Sequence, residues 1–266
     1  MQTWQSINPT TGQPLATFTV DDADAVRCHV ERARKAFPAW GNVPLAERVR
    51  VLKKLRRTLA ASAPDLAQAI TLEIGKPLLE SFSAELLLTL DGLDTLIRNA
   101  RKVLAPSSVT GGLNAKVMGF RRARIYREPF GVVGILGTWN YPLFLNGIQI
   151  ASALLAGNTV VWKPSELASF VAGRVVEVFR TAGVGEGLLE VVYGGPEAGK
   201  ALAEADCDKY VLTGGINAGR ALLDTIAHKL KPAVLELSGQ DAAVVCADAD
   251  VDAVARTLVW GAFTNC

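Results

Sequence analysis

Histidine and cysteine are scarce in this chain. His29 and His228 are the two imidazoles, and the four cysteines (Cys28, Cys207, Cys246 and Cys266) lie far apart, with no CxxC pair and no metal-ligand spacing. That argues against a zinc site and leaves no metal to expect. An excess of one charge is missing too: 28 Lys plus Arg against 26 Asp plus Glu leave a formal charge of +2, without the clustered basic surplus of a nucleic-acid binder. Apolar runs are broken by charge, Gly or Pro well short of the ~20 residues a membrane span requires. The opening MQTWQSINP lacks the basic-then-apolar start of a secretion signal. These absences point to a soluble, reduced, cytoplasmic protein. Cys28, Cys207 and Cys246 read as small buried hydrophobes.

What is present is organised as α/β. The 266 residues suffice for two compact units or one large domain with an appendage. Residues 1–106 read as helical: after the turn signal Asn8–Gly12, Asp21–Phe37 carries Ala and Val at helical spacing with acidic residues in its first turn. Further helices are expected from Pro44, over Pro64–Glu73 and over Pro77–Asn99. Residues 107–128 mix loop signals with alternating basic and apolar positions, as in an extended arm that pairs with another subunit. From 129 to 237, apolar strands at Gly131–Gly137, Thr159–Trp162, Leu189–Tyr193, Lys209–Leu212 and Ala233–Leu237 alternate with helical stretches. This pattern predicts a Rossmann-like parallel sheet with helices on both faces, binding its ligand at the strand carboxyl ends. Residues 238–266 begin a further unit.

Several strand ends carry residues suited to chemistry. Thr213-Gly214-Gly215 through Gly219, and the Tyr193–Gly199 turn containing Gly195 and Gly199, pass from strand to helix. Backbone N–H groups there can cradle a pyrophosphate, although glycines that merely permit a tight turn would look the same and neither segment is a GxGxxG. Asn140, in Gly137-Thr-Trp-Asn-Tyr-Pro142, can aim its amide at developing negative charge, or make an ordinary turn while Trp139 and Tyr141 pack. Lys163-Pro-Ser-Glu166 offers a cation and a carboxylate for ribose hydroxyls, or a solvated loop. Glu236, between Leu235 and Leu237, is a carboxylate among apolar neighbours, where desolvation would raise its pKa towards a general base's range; a buried salt bridge is the competing account.

Together GTWNYP, WKPSE, the Thr-Gly-Gly turn and LELSG, in this order, resemble the aldehyde dehydrogenase superfamily. The resemblance extends over the early NPTTG, the Glu73-Ile-Gly-Lys-Pro77 segment and the final Phe263-Thr-Asn265. It implies oxidation of a small-molecule aldehyde to a carboxylic acid with NAD, or NADP as the alternative. Asn140 matches the oxyanion donor and Glu236 the general base. Lys163 and Glu166 match the residues holding the adenosine ribose, Trp139 shapes that site, and Gly214 and Gly219 match the phosphate turn. Gly195, Gly199, Thr213, Gly215 and Leu237 complete the expected cofactor wall. The Glu166 carboxylate, repelling a 2′-phosphate, leans towards NAD. The arm resembles the family's inter-subunit strands and implies a homodimer or homotetramer.

Three departures stand out. Gly215 replaces a common Ser, and Ser238 and Gln240 stand where the family reads Gly and Lys. The family's nucleophile sits in a Phe-x-Asn-x-Gly-Gln-x-Cys pattern, of which Phe263 and Asn265 match while Cys266 fills a variable position. The nucleophile is therefore expected a few residues beyond Cys266, and the fold is expected to be incomplete. The rival expectation is a non-catalytic nucleotide-binding or oligomerisation module. A reverse reaction on an acyl phosphate or acyl-CoA is the third, against which retention of Glu236 argues.

Overall fold

The computed structural model describes residues 2–109 and 123–265. It opens on an antiparallel hairpin, β1 (Thr3–Ile7) and β2 (Pro14–Thr19), closed by the Asn8–Gly12 turn. Asn8 Oδ1 accepts from Thr10 N at 2.9 Å, and Gly12 takes φ +69°, where glycine alone pays no Cβ penalty. This hairpin differs from a wholly helical start. Its strands are short and mostly exposed, so they lack the apolar alternation that reveals a strand.

The expected helices follow. Asp22 caps α1 (Ala23–Gly41), accepting from Ala25 N; α2 (Leu45–Ala61) and α3 (Ala63–Ile74) come next, and Gly75 in the left-handed region ends α3. The short α4 (Leu78–Glu80) runs through a π-helical stretch, Ser81–Leu87, into α5 (Leu88–Leu104). In that stretch Ser81, Glu85 and Leu86 all point inward. β3 (Ser107–Val109) pairs antiparallel with β4 (Ala123–Ile125), forming the base of the expected arm. Residues 110–122 of the arm lie outside the described residues.

The chain then winds a parallel sheet: β5 (Val132–Leu136), α6 (Phe144–Leu155), β6 (Thr159–Lys163), α7 (Ser169–Thr181), β7 (Leu189–Val191), α8 (Pro196–Glu204), β8 (Lys209–Gly214), α9 (Ile216–Ala227) and β9 (Ala233–Leu237). The spatial order is β7-β6-β5-β8-β9, all parallel. The chain thus leaves β5 in one direction towards β6 and β7, and returns beside β5 with β8. That reversal opens a crevice at the carboxyl ends of β5 and β8. The interior strand β6 is buried throughout, whereas the edge strand β9 is largely exposed.

Alternate strand residues feed two cores. Val133, Ile135, Val160 and Trp162 pack with helices α2, α3, α5, α6 and α7. Val132, Val161 and Tyr210 pack with α1, α8 and α9 on the other face. Beyond β9, α10 (Val251–Phe263) buries none of its residues. Only Cys207 among the described cysteines is a buried hydrophobe; Cys28 and Cys246 are exposed, contrary to the sequence reading. Cys28 is two residues from both Val26 and Val30, which puts it on the opposite side of α1 from that buried pair. Cys266 lies outside the described residues.

Candidate active site

The crevice holds a cleft of about 900 Å³, walled by the segments that leave β5, β6, β8 and β9 and by the inner faces of α8 and α9. Trp139 and Asn140 stand at the β5 end, Lys163 and Glu166 at the β6 end, Thr213, Gly214 and Gly215 at the β8 end, and Glu236 and Leu237 at the β9 end. Gly199 joins them from α8. Strands far apart in sequence thus bring most of the expected residues to one wall. Gly195 and Gly219 are not among its lining residues. A Cβ on Gly219 would lie 2.7 Å from Leu237 Cδ2, so this glycine permits α9 to approach β9. A Cβ on Gly195 would meet nothing within 4 Å.

The loop after β5 is held by buried polar groups. Asn146, fully buried on α6, accepts from Thr138 N (3.2 Å) and donates to the carbonyls of Thr138 (3.1 Å) and Pro142 (2.9 Å). Gly137 permits this approach, since its Cβ would fall 2.5 Å from Asn146 Oδ1. Lys76 and Glu85, both fully buried, form an ion pair at 2.7 Å. Lys76 Nζ also donates to Asn140 O at 2.8 Å and lies 4.3 Å from the Tyr141 ring centre. Glu85 accepts from Leu143 N and Phe144 N, capping α6 from across the fold. Burial pushes the Glu85 carboxyl above its ordinary range, opposed by Lys76 and the two N–H groups. Thr138 donates its hydroxyl to Asn140 Oδ1 at 2.7 Å.

Glu73 does for α7 what Glu85 does for α6. It accepts from Phe170 N (2.8 Å) and Val171 N (2.7 Å), with Ser6 donating at 2.5 Å. The helices that follow β5 and β6 therefore have their amino termini filled by carboxylates. The amino termini of α8 and α9 have no side-chain cap, and both face the cleft through Pro196, Glu197, Gly214 and Gly215. A Cβ on Gly215 would meet nothing within 4 Å. The α9 end, with no acidic residue in its first turn, favours anions, whereas α8 carries Glu197 and Pro196 in its own first turn and favours them less.

Lys163 Nζ contacts Glu166 Oε2 at 3.1 Å. Thr213 Oγ1 accepts from Gln149 Nε2 at 2.8 Å. Glu236 departs from expectation in its surroundings: it is exposed on the edge strand, and among the described residues neither burial nor an ion pair surrounds it. The apolar neighbours that suggested desolvation, Leu235 and Leu237, are its chain neighbours, whose side chains alternate away from its own along β9, although Leu237 still lines the cleft. No cysteine lines the cleft among the described residues. Burial pushes the Cys207 thiol up to about 12, which removes it as a thiolate at neutral pH.

Sequence reasoning singled out Glu73–Pro77 without giving it a role, and missed Glu85, Thr138 and Asn146. Lys76 and Glu85 look like ordinary surface charges on paper; the π-helical stretch that turns Glu85 inward has no sequence period of its own. Among the described residues no helix is long and apolar enough to cross a membrane, and no acidic, His or Cys cluster is arranged to hold a metal.

A model of the aldehyde dehydrogenase family matches residues 1–266. N-succinylglutamate 5-semialdehyde dehydrogenase 1 of Caulobacter vibrioides is 34% identical over 264 residues, covering 98% of this chain and 54% of that protein. Among solved structures, the NAD-dependent aldehyde dehydrogenase of Sinorhizobium meliloti superposes with a TM-score of 0.89 at 34% identity, over 99% of this chain and 52% of that one. The NAD+ complex of an aldehyde dehydrogenase from Bacillus cereus gives 0.91 at 27% identity, over 99% and 53%. The chain spans about half the length of the curated relatives it matches. The family match runs from the first residue to the last, and the fold agrees with these relatives over nearly every residue: the chain belongs to the aldehyde dehydrogenase family.

Proposed function

We propose that this chain is the cofactor-binding part of an NAD-dependent aldehyde dehydrogenase, and that it supplies the oxyanion donor and the general base for converting an aldehyde to a carboxylic acid. The observation that carries this reading is the convergence, in one cleft at the strand reversal, of an oriented amide (Asn140), a carboxylate (Glu236) and two uncapped helix starts. A dinucleotide fits such a cleft. With α6 and α7 plugged by Glu85 and Glu73, the α8 and α9 starts are left for its phosphates. Lys163 and Glu166 sit where they hold ribose hydroxyls, the cation donating and the carboxylate accepting. NAD, when bound, supplies the hydride acceptor. Asn140 Nδ2 donates to the carbonyl oxygen as it gains negative charge, an interaction stronger in the transition state than in the ground state. Glu236 takes a proton from the water that releases the acid. Since the strand leaves it exposed, its desolvation has to come from ligands filling the cleft. The attacking thiolate belongs to a cysteine outside this wall.

Calorimetric titration of the protein with NAD, followed by NAD reduction with a panel of aldehydes in the protein as its gene encodes it, tests the reading. Saturable NAD binding is expected. Asn140→Ala is expected to leave that binding intact and to lower kcat by about 10²–10³-fold, the usual loss for one oxyanion donor. Unchanged turnover in Asn140→Ala would remove the oxyanion role, and absence of NAD binding would remove the cofactor role.

A further inference from the structure

The hydrogen bonds around Asn140 contain more than is needed to hold a loop. Its main-chain carbonyl is fixed by Lys76, its neighbours by Asn146 and Glu85, and its side-chain oxygen by the hydroxyl of Thr138. A carboxamide has one accepting and one donating end, and a rotation about its last torsion exchanges them. In a cleft of otherwise free water that torsion is broad. With its main chain clamped, Asn140 keeps its side-chain torsions, and the 2.7 Å hydrogen bond from Thr138 Oγ1 to Oδ1 is the contact that restrains them. Lys76 cannot do so, because its ammonium reaches the carbonyl of Asn140 and not the side chain.

We propose that Thr138 is a positioning residue for Asn140: its hydroxyl, donating to Oδ1, fixes the rotamer and plane of the carboxamide and leaves Nδ2 as the end free to donate into the cleft. The inference rests on the oxyanion role assigned to Asn140, but its central claim concerns geometry and can fail separately. Thr138 itself has no need to touch substrate. Its own main chain is held on both sides by Asn146, which fixes its backbone beside Asn140.

Two measurements test this. The first requires no turnover. In the ¹⁵N-labelled protein the side-chain NH₂ signals of Asn140, assigned by their loss in Asn140→Ala, should be a narrow, displaced pair. In Thr138→Val, which keeps the shape and removes the hydroxyl, they should move to the values of a freely rotating exposed asparagine; in Thr138→Ser they should stay. An unmoved pair in Thr138→Val overturns the proposal. The second uses kinetics of the protein as its gene encodes it. Thr138→Val should lower kcat by up to about 10²-fold, the scale of a misaligned group, with KM for NAD and the melting temperature unchanged. Thr138→Ser should restore it. In an Asn140→Ala background Thr138→Val should have no further effect, which a general loosening of the fold would not produce. If Asn140→Ala alone leaves kcat unchanged, the oxyanion reading fails while the NMR result still decides the geometry. If Asn140→Ala is slow and Thr138→Val is not, the positioning role fails alone.

Discussion

Replacing Glu85 by leucine should be among the most destabilising single changes on the amino-terminal side of the cleft. The carboxylate is fully buried and has three partners: Lys76 Nζ, Leu143 N and Phe144 N. Glu85→Leu leaves the Lys76 ammonium buried with only the Asn140 carbonyl and the Tyr141 ring near it. Removing one partner of a buried ion pair typically costs ~3–5 kcal/mol. The two freed N–H groups at the start of α6 add to this, at ~1–3 kcal/mol for each buried donor left unmade. These contributions share one environment and do not sum, so the expected loss is at least ~4 kcal/mol, a large part of the ~5–15 kcal/mol typical of a folded protein. The paired replacement Lys76→Met with Glu85→Leu removes the stranded charge and should cost less, about 1–3 kcal/mol for the orphaned backbone groups. Urea unfolding of the ligand-free protein, with the slope held constant between variants, measures both. A loss below ~2 kcal/mol in the single variant would refute the reasoning, on the scale set for buried pairs. So would a double variant less stable than the single one.

Three further outcomes are expected. His29 lies between the carboxylates of Glu190 (2.8 Å) and Asp21 (3.6 Å); burial and the Arg32 guanidinium disfavour its charge, but hydrogen bonds to Asp21 and Glu190 outweigh them and raise its pKa to about 9. A raised pKa binds the proton more tightly in the folded state, so this stabilisation is complete below the unfolded value of ~6.5 and is lost as pH rises through about 9; the melting temperature should fall over that window in wild type and stay flatter in His29→Gln, and parallel curves would refute it. Gly219→Ala should raise helix stability by up to ~1 kcal/mol yet weaken NAD binding severalfold in calorimetry, because the new methyl displaces the flexible Leu237 side chain into the cleft; unchanged affinity would show that Leu237 has room to yield. Glu166→Gln should improve NADP affinity relative to NAD by about tenfold, a change of ~1.4 kcal/mol, since it removes the carboxylate that repels a 2′-phosphate and releases Lys163 from its ion pair; an unaltered ratio would assign cofactor choice elsewhere.

The parallel sheet was legible because its strands are continuous apolar runs punctuated by glycine and separated by helices, a pattern that survives any detail of packing. The strand ends followed from it, and with them the wall of the cleft: a residue just past a strand has few places to go once the strand order reverses. What stayed hidden has two causes. The β1–β2 hairpin and the π-helical stretch lack a strong period, so their inward residues cannot be told from outward ones by spacing. Burial of a charge, moreover, depends on the whole fold. Glu73 and Glu85 are spaced like any helical surface carboxylates, yet each closes a helix start on the far side of the core, while Glu236, framed by leucines and apparently shielded, stands in the open. Apolar neighbours in sequence do not bury a strand residue; they occupy the opposite face. Strand geometry therefore carries the β9 carboxylate to the exposed side at the cleft, where a ligand can desolvate it, and the buried carboxylates fill helix starts that would otherwise attract anions. By filling α6 and α7 they leave the α8 and α9 starts without a side-chain cap at the crevice, so on the proposed cofactor role the positions open to phosphates are set in part by residues more than a hundred positions away in the chain.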